Sequence, residues 1–108
     1  MVERIDFRVS SEFIKLYNEV NMTEDAKRSQ LDTIHEYINP MSTEHLQDRL
    51  THYSIRLMDS ICDAEKDTTQ SNMRKIKVNE IVFNAMDAEI KKRRGETVTH
   101  PALTISNR

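Results

Sequence analysis

The segment Arg4-Ile5-Asp6-Phe7-Arg8-Val9 alternates polar and apolar side chains, then runs straight into a helical pattern, and it constrains the fold more than any other stretch. Successive side chains of a strand face opposite sides, so Ile5, Phe7 and Val9 can enter a core while Arg4, Asp6 and Arg8 face outward together. A lone strand leaves a row of backbone donors and acceptors unpaired, and no later segment before the C-terminal tail alternates as clearly. The sequence therefore predicts pairing with the same strand of a second copy, as a two-stranded ribbon in a dimer. Such a ribbon shows solvent a double row of Arg4, Asp6 and Arg8, which suits the groove of double-stranded DNA in shape and chemistry.

The rest of the chain reads as helix. One glycine, Gly95, and two prolines, Pro40 and Pro101, leave long stretches uninterrupted. Ser10 and Ser11 can cap a first helix, with Phe13, Leu16, Tyr17 and Val20 forming its apolar face at i, i+3, i+4 and i+7. Thr23 caps a second, followed by Glu24 and Asp25, with Leu31, Ile34 and Ile38 as its buried stripe and Pro40 as its stop. Ser42 or Thr43 opens a third, whose Leu46, Leu50, Tyr53, Leu57, Ile61 and Ala64 are spaced close to a heptad seam. The polar run from Lys66 to Asn72 reads as a turn or frayed link. A fourth helix from about Met73 to Arg94 carries Ile76, Phe83 and Ile90 at intervals of seven, and Gly95 is placed to end it in the left-handed conformation. The predicted fold is mainly α: one N-terminal strand, then about four helices, the last two an antiparallel hairpin. Three units follow: a strand-helix-helix unit over residues 1–40, a helical hairpin for oligomerisation or partner binding over 41–94, and an extended or disordered tail over 95–108.

With 108 residues and 37% hydrophobic content, the chain has room for one modest core. No apolar run approaches the ~20 residues that cross a bilayer, and Glu3, Arg4 and Asp6 stand where a signal peptide would be apolar. A lone cysteine, Cys62, allows no internal disulfide and suits a reducing compartment, so a cytoplasmic location with no membrane partner is expected. Charge is unevenly spread: residues 1–40 carry five Lys/Arg against eight Asp/Glu, residues 41–72 three against six, and residues 73–108 eight against four. The positive footprint that a nucleic-acid binder shows is therefore concentrated late in the chain.

The strand-helix-helix order over residues 3–39, with Phe7-Arg8-Val9-Ser10 at the strand end and Arg28-Ser29-Gln30-Leu31 opening the stripe of helix two, resembles the ribbon-helix-helix repressors, the Arc, Mnt and methionine-repressor family. The resemblance covers about a third of the chain. It implies an intertwined dimer with paired strands in the major groove and the start of helix two anchored on a phosphate. It also implies Arg4, Asp6 and Arg8 as base-reading positions, Ile5 and Phe7 as the ribbon core, and Arg28 and Ser29 as phosphate neighbours. The other reading of residues 3–9 is an edge strand or arm packed on a helical bundle.

Lys91-Lys92-Arg93-Arg94 is the strongest basic cluster, suited either to phosphates or an acidic partner, or to the negative end of its own helix dipole. His45, Asp48 and His52 share one side of helix three, but two imidazoles seven residues apart are separated by ~10.5 Å along the axis, too far to share one ion. No metal site is expected. Cys62, beside Asp59 and Asp63, reads as a packing residue rather than an activated thiol. The chain has no phosphate-cradling glycine loop and no nucleophile motif, so neither an enzyme nor a cofactor is expected. The tail can instead dock as an extended strand on another protein.

These readings converge on a small DNA-binding regulator, such as a repressor, an antitoxin or a plasmid or phage accessory factor. It would work by occupying an operator as a dimer or tetramer, with residues 42–108 available to a second protein. The alternative is a helical protein-interaction module, an inhibitor or adaptor that does not bind DNA.

Overall fold

The computed structural model describes residues 5–96 and 103–108, in the order β1 (Ile5–Val9), α1 (Ser11–Glu19), α2 (Glu24–Ile38), α3 (Thr43–Lys66), α4 (Gln70–Arg93) and β2 (Leu103–Asn107). Each helix starts where a hydroxyl can take up an orphan amide. Ser10, Thr23, Ser42 and Thr69 each accept a hydrogen bond from the backbone N–H three residues on, an arrangement worth about 1 kcal/mol per cap. At the far end of α4, Gly95 takes φ 76°. The Glu96 N–H then reaches the Lys91 carbonyl and the Gly95 N–H the Lys92 carbonyl, the paired bonds of a Schellman stop.

The fold is mainly α, as the periodicities predict, and α4 is its centre. α1, α2 and α3 all pack on it, and α3 makes the most extensive contact. The α3–α4 pair is an antiparallel hairpin: Arg93 meets Thr43 at one end, and Asn79 meets Ser60 further along. Leu46, Leu50, Leu57, Ile61 and Ala64 of the α3 seam are buried against Met73, Ile76, Phe83, Met86 and Ile90. One cluster of buried side chains runs from Val9 through Phe13, Ile34 and Ile38 into this hairpin, so residues on both sides of Pro40 share a core.

Four local expectations are corrected. α4 begins at Gln70 rather than near Met73, because the Thr69 cap lets the polar run join the helix and leaves only Asp67 to Thr69 as the link. Leu31 is 36% exposed, because the stripe of α2 narrows to Ile34 and Ile38 where it meets α4. Tyr53 is only half-buried and lies between the guanidinium groups of Arg49 and Arg56. Cys62 is exposed rather than packed, since its neighbour Ile61 takes the core position.

The largest correction concerns the lone strand. β1 pairs in parallel with β2 of its own chain, in the register Asp6 to Thr104, Phe7 to Ile105 and Arg8 to Ser106. A parallel pair needs a long crossover, and here the whole helical body is that crossover. Val9 is fully buried, and Phe7 and Ile105 pack partly buried on the core, while Asp6 and Arg8 face out as the alternation predicts. β2 carries the same alternation in Leu103-Thr104-Ile105-Ser106, and it supplies the backbone partner expected from a second copy. The base-reading position assigned to Arg4 and the tail residues 97–102 lie outside the described residues.

Candidate functional site

The outer face of the sheet is assembled around Asp6. One of its carboxylate oxygens accepts hydrogen bonds from the Thr104 hydroxyl at 3.1 Å and the Ser106 hydroxyl at 3.0 Å. Arg8 Nε donates to the other oxygen at 3.2 Å. These bonds, those from Ser106 and Thr104 foremost, hold the Asp6 carboxyl below the usual carboxylate range. Asp6 thus orders the face, and Arg8 projects from it with 67% of its side chain exposed. Arg108 closes the end of the sheet, donating to the Arg8 carbonyl at 3.1 Å and pairing with Glu65 of α3 at 3.0 Å.

Arg28 and Ser29 are exposed in the second turn of α2, behind the Thr23 cap and the acidic Glu24 and Asp25. Among the described residues no hydrogen bond or ion pair joins either of them to the sheet.

The basic run does not act as one patch. Lys91 pairs at 2.8 Å with Asp87, which is only 4% exposed and sits at the edge of the core. Arg93 turns inward and donates to the carbonyls of Met41, Ile38 and Asn39 and to the Thr43 hydroxyl. It also lies 3.8 Å from Glu89. Only Lys92 and Arg94 are exposed. Helical periodicity sends adjacent residues to different sides, so a run of four in sequence divides between core edge and solvent.

A polar cluster that the sequence reading missed lies between α1, α2 and α4. The Tyr17 hydroxyl donates to Glu80 at 2.5 Å, and the Lys77 ammonium stands 3.5 Å from the centroid of the Tyr17 ring, close enough for a cation–π contact. Burial pushes the Glu80 carboxyl above its ordinary value, partly opposed by the Tyr17 hydroxyl and Lys77. Burial together with Glu80 likewise pushes the Tyr17 phenol up. Lys77 is held below its ordinary value by burial, helped by the charge of Lys27 and opposed by Glu80. Tyr17 reads from sequence as an apolar-face residue. The signal that could have marked it is that a buried phenol needs a partner for its hydroxyl.

A carboxyl whose folded pKa exceeds its unfolded value binds more protons when folded. Folding stability should therefore fall as pH rises from about 4.5, the ordinary value, through the raised folded value of Glu80. Glu80→Gln should flatten that slope while keeping an acceptor for Tyr17. Urea midpoints of both proteins at the acid and neutral ends of this window check it, and parallel slopes would contradict it.

Among the described residues no group of His, Cys, Asp and Glu is placed to hold a metal ion, and none of their helices is long and apolar enough to cross a membrane. Comparison with models of known protein families finds no match, and comparisons with curated proteins and with solved structures find none either.

Proposed function

We propose that this protein is a small DNA-binding regulator that acts by occupying its site, with no chemistry of its own. The observation that carries the reading is the strand-helix-helix unit with Phe7 and Val9 turned to the core and Arg8 standing exposed on the outer face of β1. β1 has one strand neighbour, β2, among the described residues. In the proposed dimer its opposite edge takes β1 of a second copy, giving a four-stranded sheet with two Arg8 side chains on one face. Paired strands of this kind fit the major groove, where an arginine reads guanine by two parallel hydrogen bonds. Arg28 and Ser29 of each copy then contact phosphates.

The test has two readouts. Sedimentation at micromolar concentration should give a dimer or tetramer, and titration against a pool of duplexes should select a preferred site. Arg8→Ala should cost about 1–3 kcal/mol on that site and relax one base position, leaving non-specific binding nearly intact. Neutralising Lys92 and Arg94 should weaken all sequences alike and flatten the salt dependence if they touch phosphates. A monomer with no duplex binding tighter than ~10⁻⁴ M at physiological salt ends this reading.

The alternative, a protein-interaction module in the same compartment, is favoured by the outer side of α3. There Ile55 is 51% and Met58 38% exposed, while residues 1–72 carry net negative charge. Loss of DNA binding together with loss of self-association would leave this reading in place.

A further inference from the structure

α3 carries a second apolar stripe on the side turned away from α4. Thr51, Ile55, Met58 and Cys62 recur at intervals of four, three and four, the alternation of a heptad seam. All four are exposed, whereas Leu50, Leu57 and Ile61 of the buried seam lie on the other side of the helix. A row this narrow fits the face of one other helix.

The charges beside the stripe say which helix. His52, Asp59 and Lys66 follow one edge of it at intervals of seven, and Asp48 continues it toward the start of α3. Each is exposed, and among the described residues Asp48, Asp59 and Lys66 have no ion pair of their own. Two copies of α3 laid antiparallel, with Ile55 on Met58 of the second copy, bring Thr51 opposite Cys62. The same register places Lys66 beside Asp48 of the second copy and Asp59 beside His52. A two-fold axis repeats each contact, so both polar pairs occur twice. Glu65 comes opposite Asp48 of the second copy as well, and its ion pair with Arg108 at 3.0 Å offsets that repulsion. A parallel, in-register pair does the reverse and stacks Asp48 on Asp48.

From this complementarity we propose that the outer face of α3 is a self-association surface, on which α3 of a second copy packs antiparallel about Ile55 and Met58. The contact is separate from the edge of β1 and does not depend on DNA binding. A chain that uses this surface alone forms a dimer, and one that also pairs its β1 edges assembles beyond a dimer. From Asp48 to Lys66 the contact is ~27 Å long. One helix on one helix is a small interface, so association is expected at micromolar concentration.

Disulfide cross-linking of the full chain tests the register. Thr51→Cys places a thiol opposite Cys62 of the second copy, so mild oxidation at high micromolar concentration should convert most of the protein to a covalent dimer. Wild type should stay uncrosslinked, because the two Cys62 residues sit ~16 Å apart along the paired helices, beyond the Cα separation of about 4.4–6.8 Å that a disulfide spans. Thr51→Cys combined with Cys62→Ser should not cross-link either. By light scattering, Ile55→Lys should halve the mass of the assembly; should it fail to fold, Met58→Lys, also at an exposed position, gives the same readout. Lys66→Glu should weaken association several-fold, and adding Asp48→Lys should restore it, the mark of a direct contact between the two positions. None of these readouts involves DNA, so a failed duplex titration leaves them unaffected. A Thr51→Cys protein that stays uncrosslinked, wild type that cross-links as readily through Cys62, or a mass unchanged in the Ile55 and Met58 variants would each overturn the proposal.

Discussion

Phe83→Ala should lower folding stability by about 3–5 kcal/mol, the range for truncating a buried aromatic ring. Phe83 is fully buried near the middle of α4, with Ile76 and Ile90 one heptad away on either side. Phe83 belongs to the one buried cluster that all four helices share, so its truncation opens a cavity in the common core. Phe7→Ala should cost clearly less, since Phe7 is only partly buried on the rim of the core. Urea unfolding of both variants gives the comparison. An effect at Phe83 below about 1 kcal/mol, the size of an ordinary substitution, would mean that α4 is not the central helix.

Arg93→Ala should cost about 3 kcal/mol. Its guanidinium donates to three carbonyls at the end of α2 and in the link to α3, and to the Thr43 hydroxyl that follows. Charge-assisted hydrogen bonds contribute about 1.5–3 kcal/mol, and removing the donor strands acceptors in a part-buried corner. Arg93→Lys should recover little of the loss, because an ammonium lacks the planar fork that spans several carbonyls. Arg94→Ala, one residue on and exposed, should change stability by less than about 0.5 kcal/mol. Thermal melts of the three variants separate them, and equal shifts for Arg93 and Arg94 would return the basic run to the status of a uniform surface patch.

The helices were readable because their determinants are local. A Ser or Thr cap acts within one turn, a seam of leucines and isoleucines repeats every three or four residues, and Gly95 needs only its own missing Cβ to end α4. Apart from the start of α4, whose Thr69 cap is itself local, the readings that failed depended on what lay opposite. Leu31 and Ile34 look alike in sequence, yet only Ile34 is buried in the core. Cys62 and Ile61 are neighbours, and one step around the helix separates solvent from core. The polar cluster was invisible for the same reason: Tyr17 and Glu80 are 63 residues apart, and no local pattern announces a hydrogen bond across that distance.

The mainly helical fold, the starts of α1, α2 and α3, the α3–α4 hairpin and the inward and outward faces of β1 are legible in the chain, because these follow from backbone geometry and side-chain period within a few residues. The partner of β1, the inward turn of Arg93 and the joining of Tyr17, Lys77 and Glu80 come from contacts across the folded chain. Asp6 and Thr104 are 98 residues apart, with the whole helical body between them in the chain. Which distant segment reaches an open strand edge is fixed by the lengths and packing angles of all the elements in between, and those quantities are properties of the assembled core.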